Sequence, residues 1–75
     1  MPHVTVKMYP GRSEDQKTQL TQAVVDAVTA IVGCAADVVS VAIEEVSPDD
    51  WTEKVYKPDI LNRRGKLYKE PRYPR

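Results

Sequence analysis

The opening stretch of the chain alternates. Val4, Val6 and Met8 fall on one side of an extended segment, and His3, Thr5, Lys7 and Tyr9 on the other. This predicts a strand that begins almost at the first residue, with Pro2 at its mouth, where a missing N–H costs the ladder least. Pro10-Gly11 ends it as a turn. The period then lengthens. Leu20, Val24, Ala27, Val28 and Ile31 recur at helical spacing, with Ala23 and Ala30 widening the stripe. Ser13 as N-cap, Gln16 three residues on and Gly33 as stop predict a helix over 13–32. Glu14 and Asp15 suit its positive end. Alternation returns from Val38 to Val46: Val39, Val41 and Ile43 share one side, Ser40, Ala42 and Glu44 the other. The β-branched content favours a second strand.

Strand, helix, strand is a βαβ unit, which predicts parallel strands and a right-handed crossover. The fold class is therefore α/β. One helix covers one face of a two-stranded sheet, and such a sheet is marginal alone. The expectation is a sheet completed by a second subunit. After it, Ser47 and Pro48 read as a helix start, Trp51 and Val55 lie one turn apart, and Pro58 interrupts. A further short helix is expected from Asp59 to Tyr68, weakened by Gly65. Pro71 and Pro74 predict an extended end. The organisation expected is one domain over 1–75: a βαβ unit at 2–46, a helical extension at 47–70 and a tail at 71–75.

Length sharpens the need for a partner. At 75 residues the chain buries little surface. Cys34 is the sole cysteine and His3 the sole histidine, so neither a disulfide nor a zinc cluster can staple it. Self-association remains. Eleven basic residues balance eleven acidic ones, which argues against a general nucleic-acid binder. Charge is uneven, acidic over 37–53 and basic over 54–75, where a solvated end or an intersubunit contact is expected of the tail. No apolar run is long enough to span a membrane, and no leader is evident. A single free cysteine fits a reducing compartment, so cytoplasm is the expectation.

Pro2 carries the candidate chemistry. If Met1 is removed, Pro2 becomes a secondary amine on a rigid ring. An apolar wall and a nearby cation disfavour its charged form, and a neutral amine can take and return a proton. With Met1 attached, Pro2 is an amide without basicity.

The Met-Pro strand opening, followed by Gly11-Arg12-Ser13 and Glu14-Asp15-Gln16-Lys17, then a helix and a valine-rich strand, resembles the 4-oxalocrotonate tautomerase family. The resemblance spans about residues 1–46. Residues 40–51 and Leu67-Tyr68-Lys69-Glu70-Pro71 are similar to a longer bacterial branch that includes dimers acting on phenylpyruvate-type enols. It implies cofactor-independent keto–enol tautomerisation of an enol of a 2-oxo acid, with Pro2 as acid–base group and no metal. It implies Arg12 as carboxylate binder, as a guanidinium is suited to be; the alternative is a solvated residue before the helix cap. The family's second arginine falls at Ser40, a departure that favours a monoacid or a weakly polarised ketone over a dicarboxylate; Ser40 is a candidate substrate-binding residue that can donate one hydrogen bond, and the alternative is an ordinary polar strand residue. Its aromatic wall falls at Trp51, which would exclude water and stack on substrate; a core anchor for the short helix is the competing reading. A homodimer is implied, with a hexamer as the other option.

Two rivals stand beside this. A hydratase or dehalogenase of unsaturated acids in the same family would need a carboxylate to activate water, for which Glu44 and Glu45 are available. A non-catalytic dimeric binding protein follows if Met1 is retained. His3 points away from the valine face and reads as a surface or interface residue. Tyr56 or Tyr68 is expected to line the pocket, and Cys34 to be structural.

Overall fold

The computed structural model describes residues 1–73, so the expectation for Pro74 and Arg75 lies outside the described residues. The chain divides into two compact units, Met1–Glu45 and Val46–Arg75.

The first unit is the expected βαβ motif. Strand β1 (His3–Met8) and strand β2 (Ser40–Glu45) pair in parallel, His3 opposite Ser40 through to Met8 opposite Glu45. Helix α1 (Glu14–Val32) joins them. Its start is a complete capping box: the Gln16 N–H donates to Ser13 Oγ (3.1 Å), and the Ser13 N–H donates to Gln16 Oε1 (2.9 Å). Gly33 ends it at φ 82°, in the left-handed region, with its N–H returned to the Thr29 carbonyl at 3.1 Å. Gly11, at φ 124°, takes a backbone conformation in the turn after β1 that residues with a side chain rarely adopt.

Two details differ from the sequence pattern. β2 starts at Ser40 rather than Val38, because Ala36–Val38 winds into a 3-10 turn. There the Val38 and Val39 N–H groups donate locally, to the Ala35 and Ala36 carbonyls. Pairing begins only where the Ser40 N–H reaches the Pro2 carbonyl, at 3.2 Å. The helix stripe also straddles two faces. Val24 and Val28 are half-buried as expected, together with Lys17, Thr21, Val25 and Thr29. Leu20, Ala23, Ala27, Ala30 and Ile31 are exposed, Ile31 to 85%. In this orientation Lys17 Nζ lies 3.2 Å from Glu45 Oε2 and 2.9 Å from Glu14 Oε2.

Val41 and Ile43 line an open groove with Lys17, Thr18 and Thr21, so they lie on the helix side of the sheet. By the register, Val4, Val6 and Met8 share that side, and His3, Thr5, Lys7, Ser40, Ala42 and Glu44 form the other. No residue of 1–45 is fully buried, and among the described residues each strand keeps one edge unpaired.

The second unit is helical and irregular. Helix α2 (Pro48–Trp51) has Pro48 in its first turn, as expected, but Ser47 makes no side-chain cap bond. The chain continues without a break into a π-helix, Thr52–Ile60, that contains Pro58. The expected interruption and fresh helix at Asp59 are therefore corrected: the wider π winding accommodates a residue with no N–H. A 3-10 segment follows at Leu61–Lys66, kinked at Arg63. Val55 (4% exposed) and Tyr56 (5%) are the buried hydrophobic residues among those described, and both lie here. The Tyr73 ring sits 6.2 Å from that of Tyr56, and the Trp51 indole N–H donates to the Tyr73 hydroxyl at 3.1 Å. Tyr68 is fully exposed. Among the described residues no helix is long and apolar enough to cross a membrane.

Candidate active site

The candidate residues separate by position along two parallel strands. Pro2 lies just before β1 and is half-buried, while Met1 is wholly exposed. The Pro2 carbonyl is held by the Ser40 N–H, so the first rung of the ladder fixes the proline and Ser40 side by side. Ser40 is in turn engaged through its side chain: Ser40 Oγ lies 2.6 Å from His3 Nδ1. The other ring nitrogen, His3 Nε2, lies 3.3 Å from Thr5 Oγ1. The structure thus brings together Pro2, His3, Ser40 and Thr5 at one end of the sheet.

Arg12 is elsewhere. It is exposed in the turn between β1 and α1. Nine residues separate it from Pro2, the six of β1 and the three of the turn that follows; β1 itself, at about 3.3 Å per residue, is roughly 20 Å long. Within one chain, Arg12 and Pro2 occupy opposite ends of the strand. Glu44 and Glu45 close β2 at the end opposite Ser40, and Glu45 is already bound to Lys17. Within one chain, neither carboxylate stands beside Pro2. Trp51 belongs to the second unit, where Tyr73 holds its indole N–H.

Lys17 is the group whose protonation the fold visibly alters. Its pKa is raised from the ordinary value of 10.5, first by its hydrogen bond to Glu14 and then by that to Glu45. This clamp joins the first turn of α1 to the last residue of β2.

His3 is exposed, as its reading as a surface residue expects; its contact with Ser40 is what the sequence did not show. Its alternation with Thr5 was visible. What places Ser40 opposite it is the strand register, which no local pattern encodes.

A parallel βαβ unit that opens on Met-Pro, with a capped helix behind a Gly-Arg-Ser turn, defines the class of very small tautomerases. The comparisons agree. The model of the family described as "Tautomerase enzyme" matches residues 2–54, and the chain belongs to this family. The protein named "Probable tautomerase" of Xylella fastidiosa (strain 9a5c) is 38% identical over 73 residues, covering 97% of this chain and 89% of that one. Tautomerase PptA of Pectobacterium carotovorum subsp. carotovorum (strain PC1) is 35% identical over 74 residues, covering 97% of each. The crystal structure of YwhB, a homologue of 4-oxalocrotonate tautomerase, superposes with a TM-score of 0.63 at 42% identity. It covers 64% of this chain and 79% of that one. Membership supports tautomerase-type catalysis, an isomerase chemistry.

Proposed function

We propose that the protein is a cofactor-independent keto–enol tautomerase whose acid–base group is the Pro2 nitrogen, freed by removal of Met1. The observation that carries this reading is the setting of Pro2. It is half-buried at the mouth of β1 and fixed by the Ser40 N–H, while the residue that masks its nitrogen is fully exposed. A free secondary amine beside a cation and an apolar wall has its charged form disfavoured, which suits a group that must take and return a proton.

The reaction balances on that one nitrogen. Neutral Pro2 takes the enol O–H proton, and the O–H bonding pair becomes the new C=O bond. The C=C pair then takes the proton back from the Pro2 ammonium, forming a C–H bond and leaving a 2-oxo acid. Arg12 grips the substrate carboxylate in two parallel bonds. Because β1, about 20 Å long, stands between Arg12 and its own Pro2, the Arg12 that serves a given site comes from a second copy. Ser40 supports the carbonyl oxygen and Trp51 keeps the pocket dry. A serine rather than an arginine at position 40 favours a monoacid such as the enol of an aryl pyruvate.

The same reading needs a homodimer, with a hexamer as the larger option. Three features support self-association: the unpaired strand edges, the absence of a fully buried residue in 1–45, and the exposed stripe Leu20, Ala23, Ala27, Ala30 and Ile31 on α1. We take both units as parts of one tautomerase domain, since the family match runs across their boundary to residue 54. The lone Cys34 suits a reducing compartment such as the cytoplasm.

Ketonisation of phenylenolpyruvate and of 2-hydroxymuconate by Met-free protein tests the proposal. Pro2→Ala should lose about 10²–10⁴ in kcat/KM, and phenylenolpyruvate should be the better substrate. Full activity in Pro2→Ala would remove Pro2 as the proton carrier.

A further inference from the structure

Beside Pro2 the structure holds three side chains in a row: Thr5 Oγ1 at 3.3 Å from His3 Nε2, and His3 Nδ1 at 2.6 Å from Ser40 Oγ. All three stand on the sheet face away from α1, and the register sets His3 directly opposite Ser40. The Ser40 N–H is already committed to the Pro2 carbonyl, so the hydroxyl is the donor Ser40 has left to offer. We propose that His3 is a positioning residue: it donates Nδ1–H to Ser40 Oγ, which turns the Ser40 O–H toward the substrate oxygen carried at Pro2. This deepens the tautomerase reading and rests on it.

The argument is a count of protons. A hydroxyl has one hydrogen and two lone pairs, and a neutral imidazole has one N–H and one bare nitrogen. The short Ser40–His3 contact holds a single proton. If Ser40 gives it to Nδ1, the serine has no hydrogen for substrate. If Nδ1 gives it to Ser40, the serine hydrogen is free, and Nε2 is bare and accepts from the Thr5 hydroxyl. Thr5, whose hydroxyl can donate or accept, is compatible with this arrangement without selecting it. Once a substrate oxygen accepts from Ser40, the Nδ1–H form is the one that leaves no partner unsatisfied. The donation strengthens as negative charge grows on that oxygen during proton transfer, which is when a preorganised donor lowers the barrier. His3 thereby supplies, through Ser40, part of what a cation at position 40 would supply directly.

His3 is the chain's sole histidine, so nitrogen-15 NMR of Met-free wild-type protein saturated with phenylpyruvate reads its tautomer without ambiguity. The expected result is a proton on Nδ1 and a bare Nε2; a proton on Nε2 alone overturns the proposal. Kinetics give a second readout. His3→Ala and Ser40→Ala should each lower kcat about 10-fold or more with little change in KM, and the double variant should be no worse than either. His3→Asn, whose amide nitrogen stands where Nδ1 stood, should recover most of the loss, while His3→Gln should not. Additive losses, or equal kcat in His3→Ala and wild type, also overturn it. The Pro2→Ala assay keeps the two ideas apart. Full activity there sinks the proline mechanism, whereas the tautomer is read at equilibrium and does not depend on the rate.

Discussion

The two units of this small chain reach order by opposite routes. Residues 1–45 have regular elements with textual markers at nearly every boundary, yet no fully buried side chain. Residues 46–73 wind irregularly, through α, π and 3-10 turns, yet contain the buried pair Val55 and Tyr56. The first unit is organised by hydrogen bonds along the backbone and leaves apolar surface uncovered on α1. The second is organised by side chains closing on one another, with Tyr73 against both Trp51 and Tyr56. Regular secondary structure and burial are thus separable, and the well-ordered half is the one that leaves its apolar surface uncovered.

The contrast can be broken from either side. The largest effect on folding is expected in the second unit. Val55→Ala removes a buried side chain and should cost about 2 kcal/mol in denaturant unfolding. Val25→Ala, at a half-buried position on α1, should cost clearly less in the isolated subunit. A reversal of that order would mean that the apolar faces of the first unit are already covered in solution. Next in size is the cap. Ser13→Ala strips the Gln16 N–H of its acceptor and should cost about 1 kcal/mol, while Ser47→Ala, whose side chain makes no cap bond, should be close to neutral.

The smallest effect concerns Lys17. Its pKa is raised in the folded chain, so its stabilising contribution is fully present below the ordinary value of 10.5 and is lost as pH rises through the folded value above it. A thermal midpoint followed from pH 9 to 12 should fall more steeply in the wild type than in Lys17→Met. Parallel curves would mean that the clamp contributes nothing measurable.

How far the sequence revealed this structure depended on the range of the interaction. Ser13 with Gln16, Gly33 as helix stop and the Val4–Val6 alternation are local signals, and each corresponds to what is seen. The rotation of α1 is not local. It brings Lys17 to Glu45 across 28 residues and leaves Leu20 and Ile31 exposed. Pro58 suggested a break because proline cannot serve an α-helix interior, but a π-helix tolerates it. The candidate site shows the same division. Pro2, Arg12 and Ser40 could be nominated from the sequence. That Ser40 can touch His3 depends on the register of two strands far apart in sequence, and that Arg12 and its own Pro2 lie beyond opposite ends of β1 follows from where that strand begins and ends.

Comparing the same chain with and without Met1 puts the central claim to its most direct test, because no side chain is altered. Intact mass identifies the two forms, and kcat/KM for phenylenolpyruvate ketonisation is measured on each. A Met-free form faster by about 10²–10⁴ is the predicted result. Equal rates from the two forms would show that the Pro2 nitrogen carries no proton in this reaction.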